Sequence, residues 1–138
     1  MKINSEQEML DFGTSLAKDL SSTVIELIGD VGAGKTTLVR GLAHGLGIKE
    51  PVTSPSFTIS KSYAYADGKT LTHYDFYRLE DPGLMAEDLT ESINDPNNIT
   101  IVEWANSITD ILPENRIKII INYNDDNSRS IEIKYPNL

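Results

Sequence analysis

The sequence predicts an α/β fold in three layers, with helices on both faces of a mixed parallel and antiparallel sheet. Three observations carry that expectation. Short β-branched, apolar runs alternate with stretches whose apolar residues recur at helical spacing, the pattern of strands joined through helices. Two pairs of strand-like runs are each joined by a short polar turn, which adds hairpins to the sheet. A glycine-rich segment, Gly29-Asp30-Val31-Gly32-Ala33-Gly34, stands between a strand-like and a helix-like run, so the chain turns tightly from sheet into helix there.

Each element has a local reason. Ser5-Glu6-Gln7-Glu8 has the form of a capping box, and Met9, Phe12, Leu16 and Leu20 follow at helical spacing, which predicts a helix over about residues 5–19. Ser21-Ser22 interrupts it, and Thr23–Ile28 reads as a short strand. Thr37–Leu46 reads as a helix with Leu38, Leu42 and Leu46 on one face, ended by Gly45 and Gly47. Pro51–Pro55 is a loop. Phe57, Ile59, Lys61, Tyr63 and Tyr65 alternate as in a strand, Ala66-Asp67-Gly68-Lys69 is a turn, and Thr70–Phe76 returns as the second arm of a hairpin. Asp81-Pro82 opens a helix running to Ile93, and Asp95–Asn98 is a turn. Ile99–Val102 is a short buried strand ending in Glu103, and Ala105–Leu112 is a short helix stopped by Pro113. Arg116–Tyr123 and Ser130–Tyr135 are strands around the polar turn Asn124-Asp125-Asp126-Asn127. With no repeat, linker or low-complexity tract, residues 1–138 read as one domain.

Composition narrows the function classes. At 39% hydrophobic and 24% charged residues the chain reads as soluble and globular. No apolar run approaches the roughly 20 residues of a membrane span. The polar, early-acidic start Met1-Lys2-Ile3-Asn4-Ser5-Glu6 is unlike a secretory signal, so the expected compartment is the cytoplasm. The absence of cysteine excludes disulfides and thiolate zinc sites. A net charge of −9 argues against the chain gripping a nucleic-acid backbone unaided.

The chemistry concentrates in Gly29–Thr36, which fits Gly-x4-Gly-Lys-[Ser/Thr] at every fixed position. Such a loop directs backbone N–H groups inward as an anion nest, and the following helix adds its N-terminal dipoles. Gly29, Asp30, Val31, Gly32, Ala33, Gly34, Lys35, Thr36 and Thr37 are therefore the expected nucleotide-binding segment. Lys35 is placed to reach the β- and γ-phosphates, and Thr36 offers a hydroxyl to Mg²⁺. The fold expectation sharpens to a P-loop NTPase-like domain. Acids at neighbouring strand ends complete such sites. Asp75 ends Thr70–Tyr74 and Glu103 ends Ile99–Val102, so both are expected to serve metal and catalysis beside Lys35. Thr53, Ser54 and Ser56 occupy the place where hydroxyls sense the γ-phosphate in many nucleotide hydrolases, although the pattern alone reads as a Ser/Pro turn. The guanine signature Asn-Lys-x-Asp is absent, which leans toward ATP or ADP.

Other residues have plainer readings. Trp104 adjoins Glu103 and lies near the nucleotide, under a partner, or in the core. His73 reads as a packed strand histidine and His44 as helix surface. Arg78 pairs with Glu80 and Asp81 or stabilises phosphate charge. Glu87, Asp88 and Glu91 read as a solvated helix face.

Taken together, Gly29–Thr36, Val52–Ile59, His73-Tyr74-Asp75-Phe76-Tyr77-Arg78-Leu79 and Ile101-Val102-Glu103-Trp104 resemble, in order, spacing and chain length, the TsaE (YjeE) family of small bacterial ATPases of tRNA threonylcarbamoyladenosine synthesis. The resemblance covers nearly the whole chain. It implies a P-loop ATPase that binds ATP and Mg²⁺ and works with the TsaB and TsaD proteins. Those partners transfer threonylcarbamoyl to adenosine 37 of tRNA, and this family resets their complex without performing the transfer. By the same resemblance Lys35 and Thr36 hold phosphate and Mg²⁺, Asp75 takes the Walker-B-like position, Glu103 the second acidic position, and Thr53–Ser56 the switch-like segment. Which of Asp75 and Glu103 ligates Mg²⁺ and which orients water stays open. Ser56 stands where the family usually has threonine, and Ala105 where proline or glycine is frequent. Contact with tRNA is expected only through the partners. The alternatives are a small-molecule P-loop kinase, against which the 12 scattered Lys and Arg residues form no basic lid, and a nucleotide-binding module with negligible turnover.

Overall fold

The computed structural model describes residues 1–30, 32–53, 55, 59–77, 85–105 and 109–136. Its organising element is β2 (Val24–Ile28), the strand that leads into the glycine loop. β2 runs parallel to β5 (Asn98–Glu103) on one side and to β6 (Ile117–Tyr123) on the other. A strand flanked on both edges and covered on both faces must be apolar nearly throughout, as Val24, Ile25 and Leu27 are. Glu26 is the exception. Its buried Oε1 accepts a hydrogen bond from Arg116 Nε at 2.9 Å, so the carboxylate enters the core already paired.

The sheet extends outward from this centre. β4 (Lys69–Asp75) lies parallel to β5, and β3 (Ser60–Ala66) pairs antiparallel with β4 across the Asp67-Gly68 turn. On the opposite side β7 (Arg129–Lys134) folds back on β6, and β1 (Lys2–Ile3) pairs antiparallel with β7. The seven strands stand in the order β1-β7-β6-β2-β5-β4-β3.

Alternation along the strands builds the two outer layers. Ile25, Leu27, Ile99, Ile101, Ile117 and Ile119 share one cluster with Met9 and Leu16 of α1 (Glu6–Leu16) and with Leu38, Val39 and Leu42 of α2 (Lys35–Leu46). Val24, Tyr74 and Val102 share a second cluster with Leu89 of α3 (Ala86–Asn94). The expected mixed, three-layer α/β architecture is the one observed. Among the described residues no helix is long and apolar enough to cross a membrane.

Two helices meet at very short range. A Cβ on Gly41 would lie 2.3 Å from Leu10 O, and one on Gly13 would lie 2.4 Å from Leu38 O. Thr14 Oγ1 uses this proximity, sharing its one proton between Leu10 O at 2.9 Å in its own helix and Gly41 O at 3.1 Å in the other. Gly45 belongs to the same contact, for its Cβ would meet Ala17 Cβ at 2.6 Å. The expectation that Gly45 ends the helix is therefore corrected. Gly47, with φ 86°, is the C-cap, and Gly45 serves close packing inside α2.

Other boundaries also differ. α1 stops at Leu16 rather than near residue 19, while Ser5 caps it by accepting from Glu8 N. β1 was not expected, since two residues carry no readable period. Ile59 has φ 69° and precedes the strand instead of belonging to it. The helix expected over Ala105–Leu112 is, in its described part, a single 3₁₀ turn at Thr109–Ile111. The expected start of the third helix at Asp81-Pro82 lies outside the described residues. Asp88 is exposed as expected, but its Oδ2 accepts from Tyr74 OH at 2.6 Å. Burial, reinforced by this carboxylate, pushes the Tyr74 phenol well above its usual range.

Candidate functional site

The glycine loop sits at the carboxyl end of β2 and feeds directly into α2. Gly32 and Gly34 have φ of 83° and 107°, backbone that a side chain resists. Gly34 is the N-cap of α2 without a side-chain cap, so the first helical N–H groups are left to other acceptors. Thr36 and Thr37 follow in the first turn, both partly exposed. Val31 lies outside the described residues.

Lys35 is nearly buried for a lysine, 7% exposed. Its Nζ donates to Gly29 O and stands 4.1 Å from the centroid of the Trp104 ring, a cation–π contact. Burial pulls its pKa below the usual lysine value, and the charges of Glu103, Asp75 and Asp30 push the other way. The loop thus carries a cation that is poorly hydrated and faced by acids.

The acids arrive through the sheet. Parallel pairing of β4 with β5 places Asp75 in register with Glu103 at the strand ends. Phe76 N donates to Glu103 O at 3.1 Å, which keeps the two strands together past the last pair. Asp75 Oδ1 accepts from Tyr77 N at 3.0 Å, fixing its carboxylate in a tight turn. Glu103 is 2% exposed, and its Oε2 lies 3.0 Å from Nε2 of the fully buried His73. His73 Nδ1 is buried without a hydrogen-bond partner. The ring therefore presents its Nε2–H to Glu103 and orients that carboxylate.

Trp104 follows Glu103 in left-handed backbone, φ 59°, uncommon for a large side chain. It stands over Lys35, and Tyr77 packs on it with ring centroids 4.8 Å apart. Of the readings open to Trp104, core packing is observed in part, since the ring is partly buried against the second cluster while also standing over the loop lysine. Tyr77 is 52% exposed at the same corner, an aromatic that the spacing did not single out.

A second unforeseen residue comes from β7. Arg129 Nε donates to Ala33 O at 3.1 Å, and its guanidinium lies 3.6 Å from the Tyr123 ring centroid. Together with Asn4, Glu6, Met9, Gly34 and Thr37 it lines a cleft of about 410 Å³ beside the loop. No local pattern marks an arginine that acts 96 residues from its partner.

The segment expected to be switch-like, Thr53–Ser56, is partly described. Thr53 Oγ1 accepts from Lys61 Nζ at 2.6 Å, and Arg40 Nε donates to Val52 O at 3.1 Å, which ties the segment to β3 and α2. Ser54, Ser56 and Arg78 lie outside the described residues. His44 is exposed on α2.

A glycine loop between a central parallel strand and its helix, with acids at the ends of the adjacent parallel strands β5 and β4, defines a P-loop NTPase-like fold. The crystal structure of Bacillus subtilis YdiB superposes with a TM-score of 0.79 at 31% identity, covering 99% of this chain and 84% of that one. The family model described as "Threonylcarbamoyl adenosine biosynthesis protein TsaE" matches residues 3–131, and the chain belongs to the TsaE family. Among its relatives is the tRNA threonylcarbamoyladenosine biosynthesis protein TsaE of Haemophilus influenzae, 38% identical over 137 residues, or 95% of this chain and 85% of that protein. The Bacillus subtilis protein of the same name is 44% identical over 110 residues, or 78% of this chain and 66% of that protein.

Proposed function

We propose that this chain binds ATP or ADP with Mg²⁺ at residues 29–37 and hydrolyses ATP, in the cytoplasm, in support of the TsaB–TsaD pair that threonylcarbamoylates adenosine 37 of tRNA. Its membership in the TsaE family supports the pathway. The observation that carries the chemistry is the placement of Lys35 between Gly29 O and the Trp104 ring, facing Glu103 and Asp75.

In this reading the loop N–H groups and the α2 N-terminus take the phosphate oxygens. Lys35 exchanges Gly29 O for the β- and γ-phosphates, a better partner for a poorly hydrated ammonium. The donor set suits Mg²⁺: a threonine hydroxyl and two carboxylates are hard oxygen ligands. Such an ion is commonly shared between one or two carboxylates and the nucleotide phosphates. Thr36, Asp75 and Glu103 would hold it, and it would neutralise charge on the leaving phosphates. His73 keeps Glu103 oriented for that ion or for the attacking water. Trp104 and Tyr77 shield the lysine side of the site from solvent.

The net charge of −9 opposes direct tRNA binding, so tRNA is reached through the partners. The test is ATP turnover by the purified chain, alone and with cognate TsaB–TsaD, together with a pull-down of the pair in ATP, ADP and no nucleotide. The proposal expects Mg²⁺-dependent turnover that the partners alter, and docking that depends on the nucleotide. Absence of turnover in both settings would leave a binding module. Tight tRNA binding by the isolated chain at physiological salt would overturn the indirect route.

A further inference from the structure

We propose that Arg129 is a positioning residue for nucleotide phosphate: from β7 it holds the Ala33–Gly34 peptide of the glycine loop with its N–H turned toward the phosphate site. This inference rests on the nucleotide-binding reading above.

The geometry is that of a brace. Arg129 Nε donates to Ala33 O at 3.1 Å, and Nη2 lies 3.5 Å from Gly32 O. The remainder of the guanidinium is anchored away from the loop, Nη1 donating to Asn127 O at 2.6 Å and Nη2 to Tyr123 OH at 2.7 Å. Its plane is backed by the Tyr123 ring at 3.6 Å. A planar fork held on three sides has little freedom, so the loop carbonyls are held in turn.

Peptide planarity converts this into an effect on the ligand. In a trans peptide the C=O and N–H point in opposite directions. Drawing the Ala33 carbonyl outward to Arg129 therefore turns Gly34 N–H the other way. The preceding peptide is fixed at both ends, because Ala33 N–H donates to Asp30 O at 3.0 Å while Gly32 O faces Arg129. Gly34 N–H has no backbone acceptor among the described residues. It stands one residue before Lys35, where an anion would satisfy it. Arg129 forms no ion pair with a carboxylate among the described residues, so its charge also remains beside the loop.

Two other roles would give Arg129 a different signature. A role through charge alone is kept by lysine. A contact to base or ribose, in the cleft that Arg129 lines, is irrelevant to a ligand that has neither. The experiment is calorimetric titration of the full-length wild type and the Arg129→Lys variant, both verified as folded by circular dichroism, with ATP, ADP and inorganic tripolyphosphate. Lysine keeps the charge but cannot stack on Tyr123 and bridge both carbonyls. The expected result is a loss of roughly tenfold or more, similar for all three ligands, as for one charge-assisted hydrogen bond misdirected. Unchanged affinity, or a loss that spares tripolyphosphate, overturns the proposal. A wild type that binds none of the three refutes the nucleotide reading and this inference with it. A wild type that binds beside a variant that binds equally overturns this inference alone. Should the variant not fold, proton–nitrogen NMR of the wild type carries the test: the Gly34 amide proton is expected to move downfield on addition of tripolyphosphate, and an unmoved Gly34 resonance overturns the proposal.

Discussion

Replacing Gly41 by alanine tests whether the α1–α2 contact is as tight as described. The new methyl would lie 2.3 Å from Leu10 O and 3.0 Å from Leu10 C and Cα, where ordinary contact begins at 3.4 Å. The receiving atoms are backbone, so no rotamer change relieves the clash, and the helices must part by about 1 Å. Overpacking of this kind costs about 1–3 kcal/mol. Separation also stretches the Thr14 Oγ1 bond to Gly41 O, now 3.1 Å, but the hydroxyl keeps Leu10 O at 2.9 Å, so this loss is about 0.5 kcal/mol. Alanine returns about 0.8–1 kcal/mol through helix propensity. The net loss is about 2 kcal/mol, a fall in Tm of roughly 6–10 °C for a chain of this size. Thermal and urea unfolding followed by circular dichroism measure it, and ADP affinity should fall as well, because α2 carries Lys35 and Thr36 in its first turn. The sign decides the matter. A glycine in open helix gains stability from alanine, so an unchanged or raised Tm would refute the close-contact reasoning.

The remaining predictions concern the site. Lys35→Ala is expected to weaken ATP binding or turnover by tenfold or more, roughly the worth of a charge-assisted phosphate contact, while the circular-dichroism spectrum stays native; equal affinity and turnover in the two proteins would remove the phosphate-loop reading. Thr36→Ala should lower Mg²⁺-dependent activity more than Mg²⁺-free nucleotide binding, and an equal fall in both titrations would assign Thr36 to loop structure instead. Glu103→Gln preserves shape beside His73 but removes charge, so nucleotide binding should persist while hydrolysis falls by about a hundredfold or more; full activity would return Glu103 to a packing role.

What the sequence makes legible here is what is local. Gly29–Thr36 is readable because its geometry needs particular residues at fixed, short spacing. The acids Asp75 and Glu103 are readable as ends of apolar runs, but their adjacency is not, since it depends on β4 lying beside β5 in a register that no local pattern specifies. His73 beside Glu103 is hidden for the same reason. The left-handed turn at Trp104 runs against the preference of its residue type, so propensity points the wrong way there. Gly45 shows how one residue supports two readings. A glycine near a helix end suggests a cap, and only the partner helix shows that it serves close approach. Arg129 lies at the far limit: a surface-like arginine in a strand, whose partner is 96 residues away.

The position of β2 has a consequence for biosynthesis. Its residues, Val24–Ile28, are translated early, but its two neighbours begin at Asn98 and Ile117. A nascent chain that has emerged through α3 can already close the β3–β4 hairpin, whereas β2 is still a bare apolar strand. Pairings across such separations form slowly, and strands awaiting them are prone to aggregate. A ribosome stalled before residue 117 would therefore hold a polypeptide containing every letter of the glycine loop and none of the sheet that shapes it on one side. On the proposed nucleotide-binding reading, phosphate affinity is acquired late by the growing chain, and retention of stalled, tethered nascent chains on a nucleotide resin is expected to rise in a step as β6 and β7 clear the exit tunnel.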